Sequence, residues 1–209
     1  MTMKIAVFVS GGGTNLQAII DNIKSGYLKG VSISLVVASN NEAYALTRAA
    51  DNGIPSTVLS VKSFPSREEW DDAVLKAVTD SGAELIVLAG YLSLLGEKTV
   101  KAFSNRIINI HPALIPSFCG AGMYGIKPHK AVLARGVKVS GATVHFVNEN
   151  YDEGPIILQK AVDVLPDDTP ESLQKRIMKE CEQVILPKAI RLIADGKITI
   201  ENNIAYVKE

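Results

Sequence analysis

Runs rich in apolar residues alternate with amphipathic stretches through the first half of the chain. The runs lie at residues 4–9, 31–39, 85–89 and 106–110. The run at 85–89 shows no polar alternation, which is typical of a strand covered on both faces. Between the first two runs, apolar residues recur at helical spacing. Strands that alternate with helices predict βαβ units. We therefore expect an α/β fold with one doubly wound, mostly parallel sheet.

The regular pattern stops between residues 112 and 127, where two prolines and three glycines occur. A loop of this length inside a compact domain usually has a function. Two further strands are expected at 140–147 and 156–165, followed by a long helix that begins after Thr169. We find no internal repeat or linker, and we therefore expect a single domain over residues 1–209.

Composition narrows the class of protein. Hydrophobic residues make up 47% of the 209, and 22 basic residues balance 22 acidic ones. This balance argues against a dedicated nucleic-acid binder or a binder of anionic membranes. Cys119 and Cys181 are too few for a disulfide framework, so we expect free thiols in a reducing compartment. With no signal-peptide pattern and no membrane-spanning run, a cytoplasmic protein is expected.

A glycine-rich turn at residues 10–15 lies between the first predicted strand and helix. Its glycines let a ligand approach the backbone closely, and the helix N-terminus favours an anion. Thr14 and Asn15 add side-chain donors, so the turn suits a single phosphate. The alternative is an ordinary helix cap. Leu16 occupies the place of the third glycine of a dinucleotide motif, and no acid ends the second strand, so NAD is not expected.

The candidate catalytic residues are Asn109, His111 and Asp152, each at the predicted mouth of a strand. A carboxylate beside an imidazole orients the ring, favours its protonated form and supports acid/base chemistry near neutral pH. An amide can donate a hydrogen bond to an oxygen that gains negative charge. This combination suits acyl or formyl transfer.

The chain has three histidines, His111, His129 and His145. His111 lies at the carboxyl end of a predicted parallel strand, where open α/β sheets bind ligands. For His129, which follows a proline at a predicted helix start, we expect a capping or surface role. His145 fits a core strand position and a site position equally well. Their spacing matches no compact metal-ligand motif, and no metal is expected.

Five motifs occur in the order of one enzyme family and cover almost the whole chain; they lie at residues 10–19, 88–92, 109–112, 141–147 and 152–159. Because of these five motifs, the chain resembles the folate-dependent glycinamide ribonucleotide formyltransferases of purine synthesis. The resemblance implies a Rossmann-like enzyme that moves a formyl group from 10-formyltetrahydrofolate to the amine of 5-phosphoribosylglycinamide. The products would be formylglycinamide ribonucleotide and tetrahydrofolate, and we expect a monomer or a homodimer.

The resemblance also implies roles for individual residues. Gly13, Thr14 and Asn15 would hold the phosphate, and Lys179 and Glu182 would meet the ribose. The folate would contact a larger set, which comprises Arg67, Leu92, Ser93, Leu94, Leu95, Asn109, Asn148, Glu149, Asn150, Tyr151 and Asp152.

In the implied mechanism, Asn109 and a protonated His111 stabilise the oxyanion of a tetrahedral intermediate. Asp152 keeps the imidazole charged, through an ordered water, and assists proton transfer to the departing folate nitrogen. The chain departs from the family pattern in the loop at 117–127 and is one residue longer around 178–182. At position 93, a serine replaces a frequent arginine.

Three alternatives stay open. A formyl-folate hydrolase or a methionyl-tRNA formyltransferase would use the same chemistry with another acceptor. The former typically adds an N-terminal regulatory domain and the latter a basic C-terminal domain, and we expect neither here. A phosphate-ligand sensor that is not an enzyme would need the glycine-rich turn but not the three candidate catalytic residues together. A metal hydrolase would use the histidines as ligands.

Overall fold

Strands and helices alternate through the first half of the chain, as the hydrophobic pattern predicts. The computed structural model describes residues 2–208. The elements are β1 Met3–Val9, α1 Thr14–Lys24, β2 Val31–Ala38, α2 Ala45–Asp51, β3 Ser56–Val58, a 3₁₀ turn Val61–Ser63, α3 Arg67–Asp80, β4 Leu85–Leu88, α4 Glu97–Ala102 and β5 Ile107–His111.

The second half begins with the predicted irregular loop and ends in a small hairpin. Its elements are α5 Lys127–Arg135, β6 Val139–Phe146, β7 Ile156–Asp163, α6 Pro170–Ile177, a π-helical turn Met178–Glu182, α7 Gln183–Ala194, β8 Ile198–Glu201 and β9 Ile204–Val207. None of the helices found in residues 2–208 combines the length and the apolar character that crossing a bilayer requires.

The main sheet has seven strands in the order β3-β2-β1-β4-β5-β6-β7. Strand β1 pairs in parallel with β2 and with β4, and β2 pairs in parallel with β3. Strands β6 and β7 form an antiparallel pair. The predicted α/β class with a mostly parallel sheet is therefore confirmed.

Two compact units divide the chain between Ile108 and Asn109. In the first unit, β1 is covered by neighbours on both edges, and every residue from Ile5 to Val9 is 0% exposed. In the second unit, the buried face of α6 and α7 includes Leu173 and Ile190, each 0% exposed. This division does not decide the number of domains, and the single domain expected over residues 1–209 stays a prediction.

The long helix predicted after Thr169 is interrupted within residues 178–182. The π-helical turn Met178–Glu182 separates α6 from α7. A π turn bonds residue i to i+5 and so accommodates one more residue than an α-helical turn. Pro187 lies inside α7 and lacks an N–H group, so the carbonyl four residues earlier, at Gln183, loses its usual donor. The extra residue that the resemblance predicts here would thus be absorbed within the helix rather than in a loop.

Candidate active site

The second unit brings the three predicted catalytic residues together. Asn109 and His111 lie two residues apart on β5, so their side chains share one face of the strand. Asp152 lies in the connection between β6 and β7 and has a left-handed φ of 54°. Such a backbone is uncommon for a residue with a side chain and is found preferentially at functional sites.

His111 is held in one tautomer by the loop that follows it. Its Nε2 lies 2.9 Å from the carbonyl oxygen of Phe118. Because a carbonyl can only accept a hydrogen bond, the hydrogen is on Nε2. The other nitrogen, Nδ1, lies 3.7 Å from Oδ2 of Asp152, which is an ion-pair distance and longer than a hydrogen bond. The basic nitrogen of the neutral ring is therefore the one that faces the carboxylate.

Asp152 is held as a carboxylate. Its Oδ2 accepts a hydrogen bond of 2.8 Å from the backbone N–H of Gly120, and its Oδ1 lies 3.5 Å from Nε2 of His145. Burial raises the pKa of the Asp152 carboxyl. The hydrogen bond from Gly120, together with the contact and positive charge that His145 and His111 provide when they are protonated, outweighs burial. The net pKa lies below its ordinary value, so the group is ionised at neutral pH.

Opposing effects act on the pKa of His111 in the free protein. Burial lowers the pKa of His111, whereas the Phe118 carbonyl and the Asp152 carboxylate raise it, and His145 lowers it further. Burial prevails, because the ring is 4% exposed and loses most of its hydration. The direction of the shift favours the neutral ring in the free protein. The expectation that Asp152 keeps this imidazole charged during the reaction stays a prediction.

His145 is a site residue that the sequence left open. Its Nδ1 donates to the carbonyl of Phe146 at 2.8 Å, so its Nε2 can accept the 3.2 Å hydrogen bond from Nδ2 of Asn109. This contact fixes the orientation of the Asn109 amide. Since an NH₂ group has two hydrogens, Asn109 can give the second one to an oxyanion.

His129 is not at the surface, and the expected capping or surface role is wrong. Its side chain is 0% exposed in the first turn of α5, and neither ring nitrogen has a hydrogen-bond partner within residues 2–208. Burial and the neighbouring charge of His111 lower the pKa of His129 to about 4. Across the same residues, no three or more His, Cys, Asp or Glu side chains are grouped as metal ligands would be.

In the first unit, the glycine-rich turn has its carbonyl groups directed into the protein. The carbonyl of Gly11 accepts from the N–H of Ala45 at 3.1 Å, and that of Gly12 accepts from Nε of Arg48 at 2.8 Å. The carbonyl of Gly13 accepts from the N–H of residue 17 at 2.9 Å. Three successive carbonyls of the turn thus have donors within the first unit, and an arrangement of this kind at a helix start suits an anion at the N–H groups. Sequence reasoning missed Arg48, which lies 36 residues from the carbonyl that it holds.

Gly13 is required at the start of α1. It is the N-cap residue with a φ of 68°, so neither Thr14 nor Asn15 is the cap, and both belong to the first turn of the helix. A Cβ built on Gly13 would lie 2.6 Å from Cβ of Ala45. Only glycine allows this close approach of α1 to α2.

Two parts of the predicted folate set also meet in the first unit. The Nη2 of Arg67 donates to the carbonyl of Leu94 at 2.8 Å, and the guanidinium lies 5.2 Å from the ring centroid of Trp70. Leu92 and Leu94 are 55% and 46% exposed, so both side chains are accessible to a ligand.

The remaining predicted binding residues lie in the second unit. In the loop at 148–152, Oδ1 of Asn148 accepts from the N–H of Asn150 at 3.0 Å, and Tyr151 is 48% exposed. Lys179 and Glu182 both lie on the π-helical turn, where Lys179 is exposed and Glu182 is buried. The structure locates these residues, and their ligand contacts stay predictions.

Comparison with known proteins identifies the family. A profile described as Formyl transferase matches residues 3–190. The phosphoribosylglycinamide formyltransferase of Haemophilus influenzae is 39% identical over 98% of this chain and 93% of its own length. The chloroplastic enzyme of the same name from Arabidopsis thaliana is 42% identical over 93% of this chain and 66% of its length. A chicken protein named trifunctional purine biosynthetic protein adenosine-3 is 42% identical, and the chain spans 19% of it.

Solved structures of similarly named proteins match this chain as well. Glycinamide ribonucleotide transformylase 1 from Symbiobacterium toebii matches with a TM-score of 0.93 and 41% identity over 100% of this chain and 95% of that one. A formyltetrahydrofolate deformylase from Pseudomonas syringae matches with a TM-score of 0.89 and 26% identity over 100% of this chain and 67% of that one.

The chain therefore belongs to the formyl transferase family. The expected class of enzyme, a formyltransferase, is confirmed. Within the family, the resemblance drawn from the five motifs is confirmed as well, because the relatives named phosphoribosylglycinamide formyltransferase match almost the whole chain.

Proposed function

We propose that this chain transfers the formyl group of 10-formyltetrahydrofolate to the amine of 5-phosphoribosylglycinamide in de novo purine biosynthesis. The observation that carries the proposal is the convergence of Asn109, His111 and Asp152 in a member of the formyl transferase family. The products are formylglycinamide ribonucleotide and tetrahydrofolate.

The chemistry follows from the charges of the site. The substrate amine attacks the formyl carbon, and the formyl oxygen becomes an oxyanion that accepts a hydrogen bond from Asn109. His111 accepts at Nδ1 the proton that the attacking amine loses, and the carboxylate of Asp152, 3.7 Å away, stabilises the resulting imidazolium. The carbon–nitrogen bond to the folate then breaks, and the folate nitrogen gains the proton that the amine has lost. The positive charge on His111 thus forms at the same stage of the reaction as the negative charge on the formyl oxygen.

The acceptor is proposed from the glycine-rich turn. Its inward carbonyls, the left-handed Gly13 and the start of α1 suit the phosphate of a ribonucleotide, with Thr14 and Asn15 as further donors. The ribose is assigned to Lys179 and Glu182. The names of the relatives support this acceptor.

The formyl donor is proposed from the folate set, which includes Arg67, Leu92–Leu95 and the loop at 148–152. The neighbour named formyltetrahydrofolate deformylase supports a formyl-folate donor in this fold. We propose no metal, and a monomer or homodimer. Cytoplasmic location stays a prediction, since the Arabidopsis relative is named chloroplastic.

A formyl-folate hydrolase is the second candidate, because the similar deformylase fold could deliver the formyl group to water. The two reactions differ in their need for an acceptor. We would follow folate absorbance with 10-formylfolate in the presence and absence of the ribonucleotide, without ATP. Turnover that depends on the ribonucleotide supports the transferase, whereas equal turnover without it identifies a hydrolase. No turnover with the ribonucleotide bound would favour a phosphate-ligand sensor.

A further inference from the structure

The loop that leaves His111 returns to the same side chain. It runs from Pro112 to Phe118, whose carbonyl accepts the hydrogen of His111 Nε2 at 2.9 Å. Phe118 has a φ of 53°, a left-handed conformation that is uncommon for a bulky residue. Backbone of this kind persists only where surrounding contacts impose it, and it concentrates at functional sites.

A buried hydroxyl group fixes the middle of this loop. Oγ1 of Thr143 donates to the carbonyl of Ala113 at 2.7 Å and accepts from the N–H of Ile115 at 3.1 Å. Nε2 of Gln159 donates to the same Oγ1 at 3.0 Å and to the carbonyl of Ile115 at 2.9 Å. Thr143 is 0% exposed, and it faces Gln159 across the β6–β7 pair. The loop is therefore tied to two strands before it reaches Phe118.

We propose that Thr143 and Gln159 are positioning residues that set the tautomer of His111 through this loop. With Nε2–H held by the Phe118 carbonyl, the basic nitrogen is Nδ1, which faces Asp152. If the loop shifts, Nε2 loses its acceptor, and the hydrogen moves to Nδ1, where the carboxylate attracts it. The base would then point away from its carboxylate. This inference rests on the proposed transferase function.

Removing the hydroxyl group of Thr143 tests the proposal. Thr143→Val keeps the shape of the side chain and deletes the hydroxyl, whereas Thr143→Ser keeps the hydroxyl. We expect Thr143→Val to lower kcat by about 10- to 100-fold with little change in either KM, since a small misplacement of a reacting group has a cost of this order. Thr143→Ser should recover most of kcat.

A matched control is available in the first unit. Thr99 is also 0% exposed, and its hydroxyl bonds Asp71 at 2.5 Å. Thr99→Val therefore deletes a comparable buried hydroxyl bond without touching the loop at 112–118. It should lower stability and leave kcat within about twofold. If Thr143→Val fails to fold, Gln159→Met tests the same connection, because Gln159 is exposed at the strand surface.

The most direct test is to measure the tautomer of His111 by ¹⁵N NMR of the histidine ring nitrogens in the free protein. The His111→Ala variant assigns the signals. The wild type should show a protonated Nε2 and an unprotonated Nδ1 at His111. Thr143→Val should show mixed or reversed tautomers, and Thr143→Ser the wild-type pattern. A wild-type tautomer in Thr143→Val, or a wild-type kcat, would overturn the proposal. Because the spectrum requires no turnover, a failure of the transferase proposal would appear separately, as an inactive wild type.

Discussion

Replacing His129 with leucine should remove part of the acid sensitivity of the fold. The pKa of His129 is lowered to about 4 in the folded protein, and an unperturbed histidine has a pKa of about 6.5. The folded state therefore binds fewer protons than the unfolded state at this position, and unfolding takes up a proton. Its contribution to stability is fully present above pH 6.5 or so and is lost as the pH falls towards about 4.

The size of the effect follows from these two pKa values. At about pH 4.5, the unfolded state gains roughly 2 to 3 kcal/mol from protonation at this one site relative to the folded state. At about pH 7.5 the difference is close to zero. In the leucine variant this contribution is absent. Leucine also removes two ring nitrogens that have no hydrogen-bond partner within residues 2–208, so it should not destabilise the protein near neutral pH.

Urea unfolding measured at both pH values gives the test. The loss of unfolding free energy between the two pH values should be smaller in His129→Leu than in the wild type by roughly 2 to 3 kcal/mol. The neutral-pH measurement on each protein is the internal control, since it removes any difference in packing. An equal loss in both proteins would refute the reasoning and would mean that His129 is not buried as a neutral ring.

Two further changes test the site directly. Asp152→Asn keeps the size of the side chain and removes its charge, so turnover should fall by about 10²-fold or more while the ribonucleotide still binds in calorimetry; unchanged turnover would exclude Asp152 from the mechanism. Gly13→Ala should weaken ribonucleotide binding by about tenfold or more, because its φ is 68° and the new Cβ would lie 2.6 Å from that of Ala45. Gly136→Ala, with a φ of 67° and nothing within 4 Å, is the control, and equal weakening by both would count against the phosphate assignment.

The fold was predictable because its strongest signals are local. The apolar run of β4 and the helical spacing in α1 report burial directly, and the structure has the expected elements within a few residues. Asn202 and Asn203, with φ values of 50° and 62°, form the two-residue turn that such a pair favours between β8 and β9.

The candidate site was predictable only in part. The site residues that sequence reasoning left open or missed come together in the folded structure and share no sequence motif. His145 is separated by 36 residues from the Asn109 amide that it orients. Phe118 takes part through a backbone carbonyl, which no side-chain pattern reveals. The lowered pKa of His111 depends on burial, which outweighs the carboxylate that the sequence could show. Charge in a buried site is thus the property that sequence reasoning estimates least well.

The central claim is that Asn109, His111 and Asp152 carry formyl transfer to an amine. The most direct measurement uses 10-formylfolate labelled with ¹³C in the formyl group and follows the label by NMR with the wild type and with folded His111→Ala. We expect the label to appear as a formamide on the ribonucleotide with the wild type, and the rate to fall by about 10² to 10⁴ in the variant. Label released only as formate, or an unchanged rate in His111→Ala, would contradict it.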